Sequence, residues 1–442
     1  MHHALGILEL VEMVCYNLGA DGDSAYGTLA ALALTCRSLQ DPALDALWSH
    51  QESLIPILSC MPADIFNVRP PWCPSALPLR IVRPLAPTDW KCLLFYSRRV
   101  RTLETSFESA LAEIYPILSL CLLPGTLFPN LRSLSWYSES DDEFLHIQIF
   151  LTSTIVYLDL TYEPSATSCS LLSILGRTCP HLTDLGITLS EFEYESDLNC
   201  TAVSIFTLPD IPHSVLPRHA SSRILENFIW SMGSYINLES LILQFNMEYS
   251  TEESTKLYIA LTVSCSLNSL TRLHLRLGSC DRNPSAECTI TDGMMRILFY
   301  ITKLTSLQLT SAAQFTIHDG TILDAAQAWP CLEDLTLDSF CRPLTPPLLT
   351  VESIYSLAQH CPRLRSLHLT LNATSLPAPR SLFNALARRQ NLRRCASLSL
   401  QFRGRAISRA EYCDDLTAEM QANYERWKEV EGLVPEFVAH TD

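Results

Sequence analysis

A thiol beside two carboxylates, Cys413-Asp414-Asp415, is the grouping in this chain that comes nearest to a reactive centre, because an ionised cysteine attacks carbonyls and thioesters. Neighbouring carboxylates disfavour the thiolate, however, and Cys413 falls on the apolar side of a helical pattern near the C-terminus. The grouping therefore predicts packing. His2 and His3 lie side by side next to Met1, where a chain end is seldom held firmly enough to ligate a metal. The 17 cysteines are scattered, odd in number and never spaced C-x-x-C, which predicts reduced, mostly buried thiols rather than a zinc site or a disulfide framework. Phosphate-loop, zinc-protease and nucleophile-elbow patterns (G-x-x-x-x-G-K-[ST], H-E-x-x-H, G-x-S-x-G) do not occur. The residues predict no enzyme, no cofactor and no metal.

Function then has to come from surfaces, and composition limits which ones. With 31 Lys+Arg against 47 Asp+Glu the net charge is -16, which argues against nucleic acid as the main partner because phosphate binding needs a basic face. Arg98, Arg99 and Arg101 read as a solvated turn. Apolar residues make up 48% and charged residues 18%, enough to bury a large core, and 442 residues exceed one ordinary domain. The opening "MHHALGILELVEMVCYNLG" has no basic start and carries Glu9 and Glu12, unlike a secretory signal. "IYPILSLCLLPGTLF" is interrupted by Pro116, Pro124 and Gly125 before it could span a membrane. The expectation is a cytoplasmic or nuclear protein with no membrane partner, in which the sequons at Asn199 and Asn372 stay unmodified.

One phrase organises most of the chain. L-x-x-L-x-L appears as "LESLIL" from Leu238, "LTRLHL" from Leu270, "LTSLQL" from Leu304, "LEDLTL" from Leu332 and "LRSLHL" from Leu364, with weaker copies at Leu131, Ile155, Leu182 and Cys395. The middle leucines fall at 134, 158, 185, 241, 273, 307, 335, 367 and 398, steps of 24 to 34 residues apart from one of 56. Between copies the period changes to that of a helix, as in "SSRILENFIWSM" and "TVESIYSLAQHCP", and Phe128-Pro129, Cys179-Pro180, Trp329-Pro330 and Cys361-Pro362 mark stops before the strands. Each unit reads as a short strand plus a helix that buries its leucines only against its neighbours.

This pattern resembles the leucine-rich-repeat family, over roughly residues 98–402. The resemblance implies an α/β solenoid, a horseshoe with a parallel sheet on its concave side; the family's Asn survives at Asn246 and Asn372. "SRAEYCDDLTAEMQANYERWKEVEG" then reads as a C-terminal capping helix opened by Ser408 and Glu411 and closed by Gly432, so residues 403–442 are assigned to cap and tail.

A repeat array does not require the helical patterns of residues 1–50. "ILELVEMVCYNL" sets Leu10, Val14 and Leu18 on one face with Ile7 and Val11 on its flanks, a second helix carries Leu29, Leu32 and Cys36, and Asp41-Pro42 predicts the start of a third that ends at Trp48. Ile7-Leu8-Glu9-Leu10, Leu29, Leu32, Cys36-Arg37-Ser38-Leu39, Leu44, Leu47 and Trp48 resemble the F-box family, with Leu8 where that family has Pro and Leu39 where a ring is common. Together with "IVRPLAPTDWKCLLFYSRRVRTL" the arrangement resembles fungal F-box proteins with leucine-rich repeats, residues 51–97 forming a linker and N-terminal cap of the repeats.

The resemblance implies a substrate-recognition adaptor of a Skp/cullin/F-box ubiquitin ligase. Its partners would be a Skp-type linker protein, through it a cullin, and a protein target, with no catalytic residue supplied by the chain. Linker-protein contacts are expected at Leu8, Glu9, Val14, Leu18, Leu29, Leu32 and Trp48. Residues between the strand leucines face outward by alternation, which places target contacts at Arg272, His274, Arg276, Gln308, Asp334, Thr336, Asp338 and His368. Two alternatives are a repeat scaffold without a ligase partner and, because bacterial ubiquitin ligases with leucine-rich repeats use a cysteine near acidic residues, a ligase acting through Cys413.

Overall fold

The computed structural model describes residues 7–20, 23–67, 79–106, 108, 111–122, 125–138, 140–162, 165–189, 238–245, 250–264, 269–278, 289–339, 347–371 and 399–400. It is of the α/β class, short parallel strands alternating with helices, and divides into two compact units: residues 1–163 with 170–184, and residues 164–169 with 185–442. The C-terminal cap, Cys413, His2, His3, Asn199, Asn246, Asn372 and the helix expected around Leu225 lie outside the described residues.

The first unit opens with helices α1 (Leu8–Ala20), α2 (Asp23–Ala33) and α3 (Arg37–Trp48). α3 starts at Arg37 with Cys36 as its N-cap, so Asp41 is no cap and Pro42 sits buried inside the helix. Leu39, Ala43 and Leu47 at i, i+4 and i+8 all pack toward the three-helix core, and burying that stripe outweighs the one backbone hydrogen bond that Pro42 cannot donate.

α3 runs into β1 (His50–Gln51), which pairs in parallel with β2 (Thr102–Ser106); β2 pairs with β3 (Ser133–Tyr137), and β3 with β4 (Tyr157–Tyr162). Strand pairing thus begins well ahead of the first L-x-x-L-x-L copy, because a ladder needs backbone groups and β1 supplies them without the leucines. Leu103, Leu134, Trp136, Leu158 and Leu160 point inward, each at most 1% exposed.

The next strands are β5 (Asp184–Leu189), β6 (Ser240–Phe245), β7 (Arg272–Leu277), β8 (Thr289–Thr291), β9 (Ser306–Ser311), β10 (Gln314–Thr316), β11 (Asp334–Ser339), β12 (Ser366–Leu369) and β13 (Ser399–Leu400). In the second unit β6, β7, β9, β11, β12 and β13 form one parallel ladder, while β8 and β10 pair separately. Leu241, Leu273, Leu307, Leu335 and Leu367 stand side by side, as the repeat predicts. The last copy differs: Leu400, rather than Leu398, pairs with Leu367. A slip of two residues keeps the same side-chain parity along a strand, so the leucine phrase alone cannot distinguish the two registers.

Two local devices recur. Before each Pro-marked strand a buried residue accepts from the leucine three positions on: Leu131 N–H to Phe128, Leu182 to Cys179 and Leu332 to Trp329 at 3.1 Å, and Leu364 to Cys361 at 3.2 Å. The same buried place is filled by a ring or a thiol, and burial pushes the Cys179 and Cys361 thiols up to about 12, which leaves them unreactive. Then one carbonyl receives two successive N–H groups of the incoming strand, as Glu239 does from Thr271 and Arg272, and Thr271 from Thr305 and Ser306.

Helix N-termini in the second unit are clasped to one another. Thr251 Oγ1 accepts from the Thr289 N–H at 3.1 Å. Asp292 accepts from the His318 N–H at 2.9 Å and contacts its Nδ1 at 2.7 Å. Asp319 accepts from the N–H and hydroxyl of Thr350 at 2.8 and 2.6 Å, and from the Ser353 hydroxyl. Burial pulls the Asp292 carboxyl up, but the bonds from His318 and Thr321 outweigh it and hold the carboxyl below its ordinary value of 3.8. A depressed carboxyl stabilises the fold above its unfolded pKa and loses that contribution as pH falls through the folded value. Asp292→Asn should therefore lower stability by about 1 kcal/mol at pH 7, a modest figure because His318 is solvent-exposed, and urea unfolding should show the gap closing as pH drops below 3.8.

Candidate functional site

The three-helix unit has a closed core of Val11, Cys15, Leu29, Ala33, Leu39 and Ala43, against which Leu18, Leu32, Cys36, Leu44, Ala46 and Leu47 pack. The buried stripe of α1 is Val11, Cys15 and Leu18, so the face expected from Leu10, Val14 and Leu18 is displaced by one residue. Ile7, Leu10 and Val14, at i, i+3 and i+7, form a second apolar stripe beside it that stays 44%, 39% and 51% exposed, with Met13 beyond.

Among the expected linker contacts, Leu8 and Glu9 are exposed, Glu9 on the side of α1 away from the core, and Val14 belongs to the exposed stripe. Leu18 and Leu32 are partly buried against the core, and Leu29 is fully inside it. Ile7, Leu10, Met13 and the exposed Leu34 at the end of α2 were not among those contacts. Their signal was available in the sequence, since a 3.6-residue period on a short apolar helix leaves two stripes and only one can face the core.

Trp48 is engaged within the chain. Its ring lies 4.8 Å from that of Tyr96 in the helix Trp90–Ser97, and its indole N–H is buried with no hydrogen-bond partner among the described residues. Arg99, next to that helix, is no solvated turn residue: its side chain is 5% exposed, pairs with Asp41 at 2.6 Å and with Asp45, both on α3, and stacks over Phe95. Trp48 and Arg99 therefore join α3 to the helix Trp90–Ser97 of the same unit. Arg99→Ala should destabilise that unit by about 2 kcal/mol, two charge-assisted bonds discounted because both aspartates reach solvent. Arg99→Lys should recover less than half, since one ammonium cannot fork to both carboxylates, and urea unfolding of the full chain measures both.

The expected target residues come together as a surface. Parallel pairing places Arg272, Ser306, Asp334 and Ser366 in one row, His274, Gln308, Thr336 and His368 in the next, and Arg276, Thr310 and Asp338 in a third. The leucines between them are buried, so these three rows form the outward side of the strands. His274 Nε2 lies 3.3 Å from the Ser306 hydroxyl, and burial, with Arg272 beside it, pulls its pKa down, favouring the neutral ring. His368 Nε2 lies 3.6 Å from Asp338.

The first unit carries a cavity of about 290 Å³ lined by Glu52, Glu104, Thr105, Ser135, Trp136, Tyr137, Asp159 and Thr161. Glu104, Ser135 and Asp159 share one row of β2, β3 and β4. Burial raises the Asp159 carboxyl, opposed by one backbone N–H from Leu160. This acidic recess escaped sequence reading because "TLETS" lacks the leucine phrase that would align Glu104 with Asp159.

Among the described residues no set of three or more His, Cys, Asp or Glu could hold a metal ion, and no helix is long and apolar enough to cross a membrane. No family model and no curated relative matches the chain. Among solved structures the chain is similar to one described as "Crystal structure of Rad7 and Elc1 complex in yeast", with 15% identity over 82% of this chain and 88% of that chain and a TM-score of 0.31, a likeness too low to carry an argument about function.

Proposed function

We propose that the chain is the substrate-recognition adaptor of a Skp/cullin/F-box ubiquitin ligase, an F-box-like unit followed by a leucine-rich-repeat solenoid. The three helices dock a Skp-type linker protein and through it a cullin, and the outward strand rows hold a protein target. The chain supplies no catalytic group; it raises the local concentration of the target near a charged conjugating enzyme.

One observation carries this reading: the stripe of Ile7, Leu10 and Val14 lies in water although the core beneath is already closed by Val11, Cys15 and Leu29. A small helical unit gains nothing internally from such a stripe, and contiguous exposed apolar side chains mark protein contacts. Co-elution of the full chain with the Skp-type linker protein of its own organism, on size exclusion at micromolar concentration, tests it. Separate elution would sink the adaptor reading. The scaffold reading would then stand, favoured by Trp48, whose ring is spent on Tyr96 instead of facing a partner.

A further inference from the structure

Among the described residues, the outward rows of the second unit carry formal charge on only two of their strands, and the two have opposite sign. β7 presents Arg272 and Arg276, and β11 presents Asp334 and Asp338. Between them β9 presents Ser306, Gln308 and Thr310; before them β6 offers Ser240, Ile242 and Gln244, and after them β12 offers Ser366 and His368. Each Arg shares a row with one Asp, Arg272 with Asp334 and Arg276 with Asp338, separated by a single neutral strand. Two strand spacings amount to about 10 Å.

We propose that this face binds a linear protein segment that lies across the strands and carries an acidic and a basic side chain three residues apart. The acidic group sits over Arg272 or Arg276 and the basic group over Asp334 or Asp338. Charge complementarity selects the signs, and the strand spacing selects the interval: a polyproline-type extended segment rises about 3.1 Å per residue with three residues per turn, so residues three apart share a face about 9 Å from each other. A uniformly acidic segment would meet the aspartates, and a uniformly basic one the arginines, so the pattern rejects both. The middle row, with neutral His274, Gln308 and Thr336, offers hydrogen-bonding groups to the backbone of such a segment.

This inference rests on reading the outward rows as the target surface, and it does not require the linker protein. Its test is selection of a displayed library of random linear peptides on the full chain at low salt. The wild-type chain should enrich peptides with opposite charges three residues apart. Arg272→Glu with Arg276→Glu should enrich peptides with two basic residues instead, and Arg272→Gln with Arg276→Gln should keep the basic requirement while losing the acidic one. A peptide chosen by the wild type should bind the reversed variant about tenfold more weakly, its one exposed ion pair with an arginine having turned into a repulsion. Recovery of no peptides, of apolar or single-sign peptides, or of the same peptides by all three chains would overturn the proposal. Selection of opposite-charge peptides by a chain that fails to bind the linker protein would remove the adaptor reading and leave this one standing.

Discussion

Leu10→Asp combined with Val14→Asp is expected to weaken binding of the full chain to the Skp-type linker protein by at least about 100-fold, as measured by calorimetric titration. Each side chain is about half exposed in the free chain, so burying the rest of it in a partner contributes about 1 kcal/mol; the two together correspond to about 2 kcal/mol, or about 30-fold in Kd. Aspartate at these sites adds the cost of burying a charge. Folding should change little, because neither residue belongs to the core set and position 10 lies in the first turn of α1, where a negative charge favours the helix dipole. Leu29→Ala supplies the contrast: it should lower the stability of the unit by about 3 kcal/mol, since Leu29 is fully buried. Unchanged affinity in the double aspartate variant would place the linker contact elsewhere.

Trp329→Ala should destabilise the second unit by about 4 kcal/mol in urea unfolding, near the upper range for a buried ring. Trp329 is 0% exposed, meets Phe299 edge-on at 5.3 Å, and holds the turn into β11 through its carbonyl, which accepts from the Leu332 N–H at 3.1 Å and from the Cys361 thiol at 3.5 Å. Its indole N–H is buried without a partner among the described residues. That orphan donor makes Trp329→Phe informative: the lost volume is offset by removing an unsatisfied group, so the cost should stay within about 1 kcal/mol. A large loss for Phe would mean that the indole nitrogen has a partner.

The strands of the second unit were legible because their signal is local. Leu273, Leu307 and Leu335 sit in phrases whose period of two assigns inward and outward sides without reference to any neighbour. The stops at Pro180, Pro330 and Pro362 were legible for the same reason, each lying two residues beyond the last residue of a helix that proline cannot continue, whereas Pro129 ends no helix, the one before it closing at Cys121. Pro42 shows the limit of that rule: it stands inside α3, because Leu39, Ala43 and Leu47 gain more from packing on α1 and α2 than the helix loses.

By itself the sequence determined the α/β class, the outward positions of Arg272, His274, Gln308, Thr336 and His368, and the existence of three helices ahead of the strands. Tertiary structure decided which of two apolar stripes on α1 is buried, that Leu29 and Trp48 are used internally, that Arg99 ties α3 to the helix Trp90–Ser97, and that Glu104 shares a row with Asp159. The physical reason is range. Periodicity and backbone chemistry act within a few residues and are written in the local order of side chains. The choice between two equivalent stripes, or the alignment of charges from strands more than twenty residues apart, depends on which surfaces meet when the chain closes.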